Sequence, residues 1–150
     1  MRCLVAISIA LAASMVDAAA IPAVDVHASC APSIALDAAT RTAHVTAVKS
    51  VLVAGLNAPA AGTQRFGVDA SIAKLELHPS SDEIEVRAEI HVVVSDAQAR
   101  IQWVGTSTAT GRERGHHTEH VRAMQRQAVE QATRELVSPV RSHLVAAANN

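Results

Sequence analysis

Glu83-Ile84-Glu85-Val86-Arg87-Ala88-Glu89-Ile90-His91-Val92-Val93-Val94-Ser95-Asp96 is the stretch that decides the fold. Ile84, Val86, Ala88, Ile90, Val92 and Val94 alternate with Glu83, Glu85, Arg87, Glu89, His91 and Val93, the two-residue period of a strand with one dry and one wet face. Upstream, Phe66 to Leu77 forms another strand: Val68, Ala70 and Ile72 keep one phase and Leu75 and Leu77 the other, so a bulge is expected near Ala73. Downstream, Ile101, Trp103, Gly105, Ser107 and Ala109 continue the alternation on a third strand. His78-Pro79-Ser80-Ser81-Asp82 and Ser95-Asp96-Ala97-Gln98-Ala99 are short links, which imply an antiparallel meander.

Helices flank this meander. Asp37 to Leu56 carries Val45, Val48, Val51, Leu52 and Leu56 at three-to-four spacing, with Asp37 as its cap and Gly55 near its end. Lys49 intrudes on that face, and the β-branched Thr46, Val48, Val51 and Val53 weaken the helix. Asn57 to Gln64 reads as a Pro- and Gly-containing loop, and Gly111 to Gly115 as another. A second helix from Thr118 to Val137 has the stripe Val121, Met124, Ala128, Ala132 and Leu136, with Arg122, Arg126, Glu130 and Arg134 opposite at four-residue spacing. Ser138-Pro139 is a cap-and-first-turn pair, which predicts a separate short helix to about Ala147. The expected fold is therefore α+β: an antiparallel three- to four-stranded meander packed against amphipathic helices, in helix-strand-strand-strand-helix order.

Met1 to Ala20 has one basic residue, an apolar run from Leu4 to Ala13 and a small-residue exit at Ala18-Ala19-Ala20, the parts of an export signal. The expected cut falls between Ala20 and Ile21. Asp17 breaks the run before it reaches the length of a membrane span, and no later stretch reaches it either. The expected organisation is thus a signal over 1–20, a mobile leader over 21–36 with at most a short strand around Val24 to His27, one domain over 37–147, and a tail over 148–150. The formal net charge is -1, with 13 Lys and Arg against 14 Asp and Glu, so no nucleic-acid partner is expected. Phe66 and Trp103 are the sole aromatic residues of the Phe, Tyr and Trp class, too few for a stacking platform.

With Cys3 in the signal, Cys30 is alone in an oxidising compartment, either free or joined to a second copy as a homodimer. His27, three residues earlier, is the one nearby base for its thiol. The order of elements from Asp37 to Leu144, with segments such as Gly67-Val68-Asp69-Ala70-Ser71-Ile72 ahead of Ile84 to Asp96, resembles small periplasmic domains of bacterial envelope lipoproteins of the penicillin-binding-protein-activator and curli-secretion types. That resemblance implies a non-enzymatic module that binds other envelope proteins. It departs from those lipoproteins at Cys30, which lies far beyond the apolar run and is preceded by His27-Ala28-Ser29, so a lipid-anchored form is not expected.

Three constellations bear on chemistry. His116, His117 and His120 open the last helix, and His116 and His120 at four-residue spacing can share zinc or nickel, with His91 or His143 as a third ligand. The order is not His-Glu-x-x-His, since Glu119 adjoins the second histidine of the pair, and a polar helix start explains the same residues. No Gly-x-Ser-x-Gly elbow or phosphate loop occurs. Glu83, Glu85 and Glu89 share a wet face, where a desolvated acid for sugar hydrolysis is not available. The sequence therefore points to a secreted or periplasmic interaction domain with no catalytic residues and no cofactor; an exported metal-binding protein is the alternative. Its expected contact surfaces are the Glu85, Arg87, Glu89 and His91 face and the Arg122, Arg126, Glu130 and Arg134 face.

Overall fold

The structure, a computed structural model, describes residues 20–115 and 117–149. The elements run β1 (Ile21–Cys30), α1 (Ala38–Gly55), β2 (Ala60–Pro79), β3 (Glu83–Asp96), β4 (Ile101–Arg114) and α2 (Thr118–Ala148). They form one four-stranded sheet in the order β1-β2-β3-β4, with β2 to β4 the expected antiparallel meander. The α+β class stands. The signal segment Met1 to Ala19 and His116 lie outside the described residues.

Of the stretch 21–36 assigned to a mobile leader, Ile21–Cys30 is instead a strand. β1 pairs parallel with β2, from Ala23 opposite Arg65 to Cys30 opposite Ile72, which makes the sheet mixed and α1 a crossover between parallel neighbours. Ile21 is 1% exposed, and Val24, Val26 and Ala28 pack against the core. Weak patterning hid β1 because its apolar residues are small and half-buried at the sheet edge. Arg41 then secures the link to α1: its guanidinium donates to the carbonyls of Cys30 at 3.3 Å, Ala31 at 3.0 Å and Ile34 at 2.6 Å.

β3 is the centre of the core. Its six alternating apolar residues are all buried, and Val86, Ala88, Ile90, Val92 and Val94 are wholly inaccessible. The bulge in β2 falls between Ile72 and Lys74, as the phase change requires. Beyond it Leu75 opposes Ala88 and Leu77 opposes Val86, so one extra residue returns the apolar set to the same face. β2 begins at Ala60, inside the expected loop, but its pairing with β1 jumps from Ala60 to Arg65, which accommodates Gly62 at positive φ. β4 also runs past the expected loop at Gly111: Arg112 opposes Glu85 and binds its carboxylate at 2.9 Å, and the strand ends before Gly115, where φ is 90°.

Both helices cover the apolar face. Asp37 caps α1, accepting from the Thr40 backbone N–H at 2.9 Å and from its hydroxyl at 2.6 Å. The buried face of α1 is His44, Ala47, Val48 and Leu52, turned slightly from the expected one, and Lys49 is exposed. The rotation lets α1 lean on α2 and β1 together.

The expected break at Ser138-Pro139 does not occur, and α2 is one helix of 31 residues. It is about 46 Å long, matching the length of a 14-residue strand such as β3. Pro139 is exposed, while Leu136, Val140 and Leu144 keep one buried stripe through it. Burying each such side chain gives about 1.5–3 kcal/mol, and together they outweigh an interior proline at about 3 kcal/mol. Among the described residues, no helix is long and apolar enough to cross a membrane.

Pro139→Ala restores a helical N–H and is expected to raise unfolding free energy by about 1–3 kcal/mol in urea titrations; an unchanged or lower midpoint contradicts a continuous α2. His44 is 3% exposed, and neither ring nitrogen has a hydrogen-bond partner. Burial, aided by Arg126 and opposed by Asp37, holds its pKa below 6.5. The folded state thus resists a proton that the unfolded chain accepts, so stability is full above the ordinary histidine pKa and falls as pH drops below it. His44→Leu is expected to flatten that acid slope in melts recorded across pH 5 to 8.

Candidate functional site

The wet face of the sheet is built from cross-strand rows. Ser29, Ser71, His91 and Thr106 form one, and His27, Asp69, Val93 and Val104 the next. Most of its charges are mutually paired: Lys74 meets Glu89 at 3.2 Å, His91 Nε2 lies 2.8 Å from Glu89 Oε1, and Arg112 reaches Glu85 at 2.9 Å and Glu83 at 3.8 Å. The hydrogen bond with His91, followed by that with Lys74, holds the Glu89 carboxyl below its ordinary range. A general acid needs the opposite shift. Among the described residues, every carboxyl group whose pKa moves clearly, at Asp37, Glu89, Asp96 and Glu135, moves down.

At one end of this face the pattern changes. Ile101 opposes Ser95 across a register shift and is 66% exposed, and Val104 opposes Val93 and is 57% exposed. Asp96 organises the adjoining turn, accepting from the Gln98 and Arg100 backbones, from Arg100 Nε at 2.7 Å and from Gln102 at 2.9 Å. Burial works against its ionised form, but these bonds prevail and lower the pKa. Two valines and an isoleucine thus sit beside a rigid polar turn.

The other expected contact face lies on α2. Glu130 binds Arg126 and Arg134, each at 2.8 Å, as the four-residue spacing requires. That flank adjoins α1, with Arg126 and Glu130 lining a hollow beside Ala43, Thr46 and Ala47. The opposite flank overlooks β4. A groove of about 610 Å³ lies there, between Ala109 to Glu113 of β4 and Ala123, Met124, Gln127 and Gln131 of α2.

Small residues on β4 let α2 approach. Gly111 leaves room for Met124, whose Cγ lies 2.8 Å from where a Cβ would stand, and Gly105 accommodates the Trp103 indole, which occupies the space a Cβ would need. Ser107 donates to Glu135 Oε2 at 2.6 Å, which with Gln131 lowers the Glu135 pKa.

The histidine cluster is only partly gathered. His117 and His120 have ring centroids 5.5 Å apart, edge to face, and His120 Nδ1 lies 3.8 Å from Glu113. His91 is on the opposite side of the sheet, and His143 lies 23 residues along α2 from His120, about 35 Å away. Neither can complete the ligand set. Among the described residues, no three His, Cys, Asp or Glu side chains are grouped to hold a metal.

Cys30 and His27 face opposite sides of β1 and are not a nucleophile and its base. The Cys30 thiol packs against the core, and burial pushes its pKa up despite the pull of Arg41. Sequence reasoning missed Arg41 and His44 because their roles depend on α1 meeting β1 and α2.

Gly105→Ala is expected to displace the Trp103 ring, giving a changed emission maximum in the intrinsic fluorescence of this single-tryptophan chain. Emission identical to that of the parent protein would contradict the seating of the indole on Gly105.

No protein-family model matches the sequence, and no curated protein matches it in a sequence search. The fold is similar to solved bacterial structures. Protein XCC0632 from Xanthomonas campestris, described as belonging to the DUF330 family, superposes with a TM-score of 0.66 at 15% identity, over 89% of this chain and 90% of that one. The hypothetical protein CT253 from Chlamydia trachomatis gives 0.56 at 12% identity, over 85% and 99%. A minor lipoprotein from Acinetobacter baumannii gives 0.51 at 13% identity, over 78% and 91%. The resemblance to envelope lipoprotein domains therefore holds at the level of fold.

Proposed function

We propose that this chain is an exported, non-enzymatic envelope module that docks another protein through the outer face of its sheet. The observation that carries the reading is the exposed apolar group Ile101 and Val104 beside Val93, with Asp69 in the same cross-strand row, Ser95 opposite Ile101, and His91 and Thr106 in the next row. An apolar centre with a polar rim is the anatomy of a protein contact. The downward-shifted carboxyls and the core-packed thiol also favour recognition over catalysis.

Export rests on the sequence of the first twenty residues. The Acinetobacter neighbour is described as a lipoprotein, which runs against the expectation of an unanchored protein. The proposal nonetheless leaves Cys30 unlipidated. A cut before Cys30 would remove Ile21 to Ser29, which supplies most of β1 and the buried Ile21. A cut at Ala20 leaves β1 whole.

Ile101→Asp with Val104→Asp is expected to reduce the yield of an envelope partner cross-linked in intact cells by roughly tenfold, the effect of about 1.4 kcal/mol, while the melting temperature stays near that of the parent. Undiminished capture by the double variant, or turnover of an envelope substrate by the purified protein, would overturn the proposal.

A further inference from the structure

One position on the outer face of the sheet carries no side chain. Gly67 stands in the cross-strand row Asp25, Gly67, Ser95 and Ile101, beside the row His27, Asp69, Val93 and Val104. Its φ is not positive, unlike that of Gly62 or Gly115, so no turn explains it. A glycine inside a strand often marks a place where another group comes close. A Cβ there would lie 3.0 Å from the Ser95 hydroxyl oxygen and 3.9 Å from Asp69 Oδ2. Its absence leaves a notch walled by two acceptors, with Asp25 opposite Gly67 on β1.

The charge beside this notch is uncompensated. On the same face Asp25 pairs with Arg65 at 3.3 Å, Glu76 with His78 at 3.5 Å, Glu85 with Arg112 at 2.9 Å and Glu89 with Lys74 at 3.2 Å, while Glu83 lies 3.8 Å from Arg112. Asp69 is exposed and, among the described residues, has no ion pair and no hydrogen bond; His27, opposite it in the register, does not pair with it.

We propose that this notch receives a lysine side chain of the docking partner, set against Asp69 and Ser95 while the partner's aliphatic side chains rest on Val93, Ile101 and Val104. Such an occupant presupposes the docking face proposed above and gives it a chemistry. Neighbouring strands lie about 5 Å apart, so whatever covers Val93 also takes water from Asp69. An ionised carboxylate stripped of water without a counter-charge costs more than a few aliphatic contacts return. Among the described residues no three His, Cys, Asp or Glu side chains are grouped to hold a metal, so the counter-charge comes with the occupant. An ammonium suits the notch better than a guanidinium. It is compact and its three N–H donors can meet oxygens on separate side chains, whereas a planar fork matches the two oxygens of one carboxylate.

The probes are short random peptides displayed on phage, selected on protein purified from cells expressing the full chain and depleted on the Ile101→Asp with Val104→Asp variant. The surviving peptides are expected to combine aliphatic residues with lysine. Replacing that lysine by norleucine is expected to weaken binding by about tenfold, as is Asp69→Asn, and arginine is expected to substitute poorly. Asp69→Lys is expected to turn the selection toward acidic peptides. Gly67→Ala fills the notch and is expected to weaken the lysine peptide but not its norleucine counterpart, with a melting temperature no lower than that of the parent. Peptides that need Ile101 and Val104 but show no lysine preference, arginine that replaces lysine without loss, or a lysine preference indifferent to Asp69→Asn and Gly67→Ala would overturn the lysine site and leave the docking face standing. A selection that yields no peptide able to distinguish the parent from the double aspartate variant would overturn both.

Discussion

Keeping one face of β3 dry is the constraint on which the structure depends. Its six alternating apolar side chains project from a strand that has neighbours on both edges, so their cover must come from above, and α2 supplies most of it. Several features follow from that demand. β4 presents Gly105, Ser107, Ala109 and Gly111 to the helix, because larger side chains would hold α2 away; Met124 already fills the space above Gly111. Ser107 and Glu135 then fix strand to helix at a point where packing leaves a polar pair room. The same demand keeps Pro139 within α2, since ending the helix there would uncover the core beneath Val140 and Leu144.

β1 and α1 complete the layer by a different route. α1 contributes Val48 and Leu52 to the core, yet it rests chiefly on α2 and β1. Its placement relies on polar devices as well as burial: Asp37 closes the N-terminus, and Arg41 gathers three carbonyls of the incoming chain. The cost is His44, whose unpartnered nitrogens lie in the contact between the helices. A neutral imidazole is tolerated there and a charged one is not. As pH falls, α1 is therefore the first to feel acid, through His44, before the carboxylates of the meander take up protons.

The meander was legible because its period is two and its links are short. Val68, Ala70 and Ile72 against Leu75 and Leu77 even located the bulge, since a phase change in a buried strand has to be absorbed by an extra residue. β1 was not legible: half-buried residues at an edge leave little alternation to read, and parallel pairing depends on contacts beyond the reach of local pattern. Ser138-Pro139 misled for a related reason. Local rules describe what a proline prefers, and tertiary burial on either side of it decided otherwise. The charged rows on the sheet and on α2 were visible as spacings, but their meaning changed once the partners were seen. Glu130 between two arginines and Glu89 between Lys74 and His91 are internally satisfied, while Ile101 and Val104 are left exposed at one end of the sheet's outer face.

These relations assign different work to different parts of one sheet. β3 holds the domain together, the charged rows of the outer face satisfy one another, and β4 is the last strand of the core, with no strand beyond it among the described residues. Residue-resolved hydrogen exchange tests that division most directly. β3 amides are expected to exchange slowest, while the alternate amides of β4 between Ile101 and Gly111 that turn away from β3 exchange fast. β3 amides that exchange as fast as those outward β4 amides would contradict it.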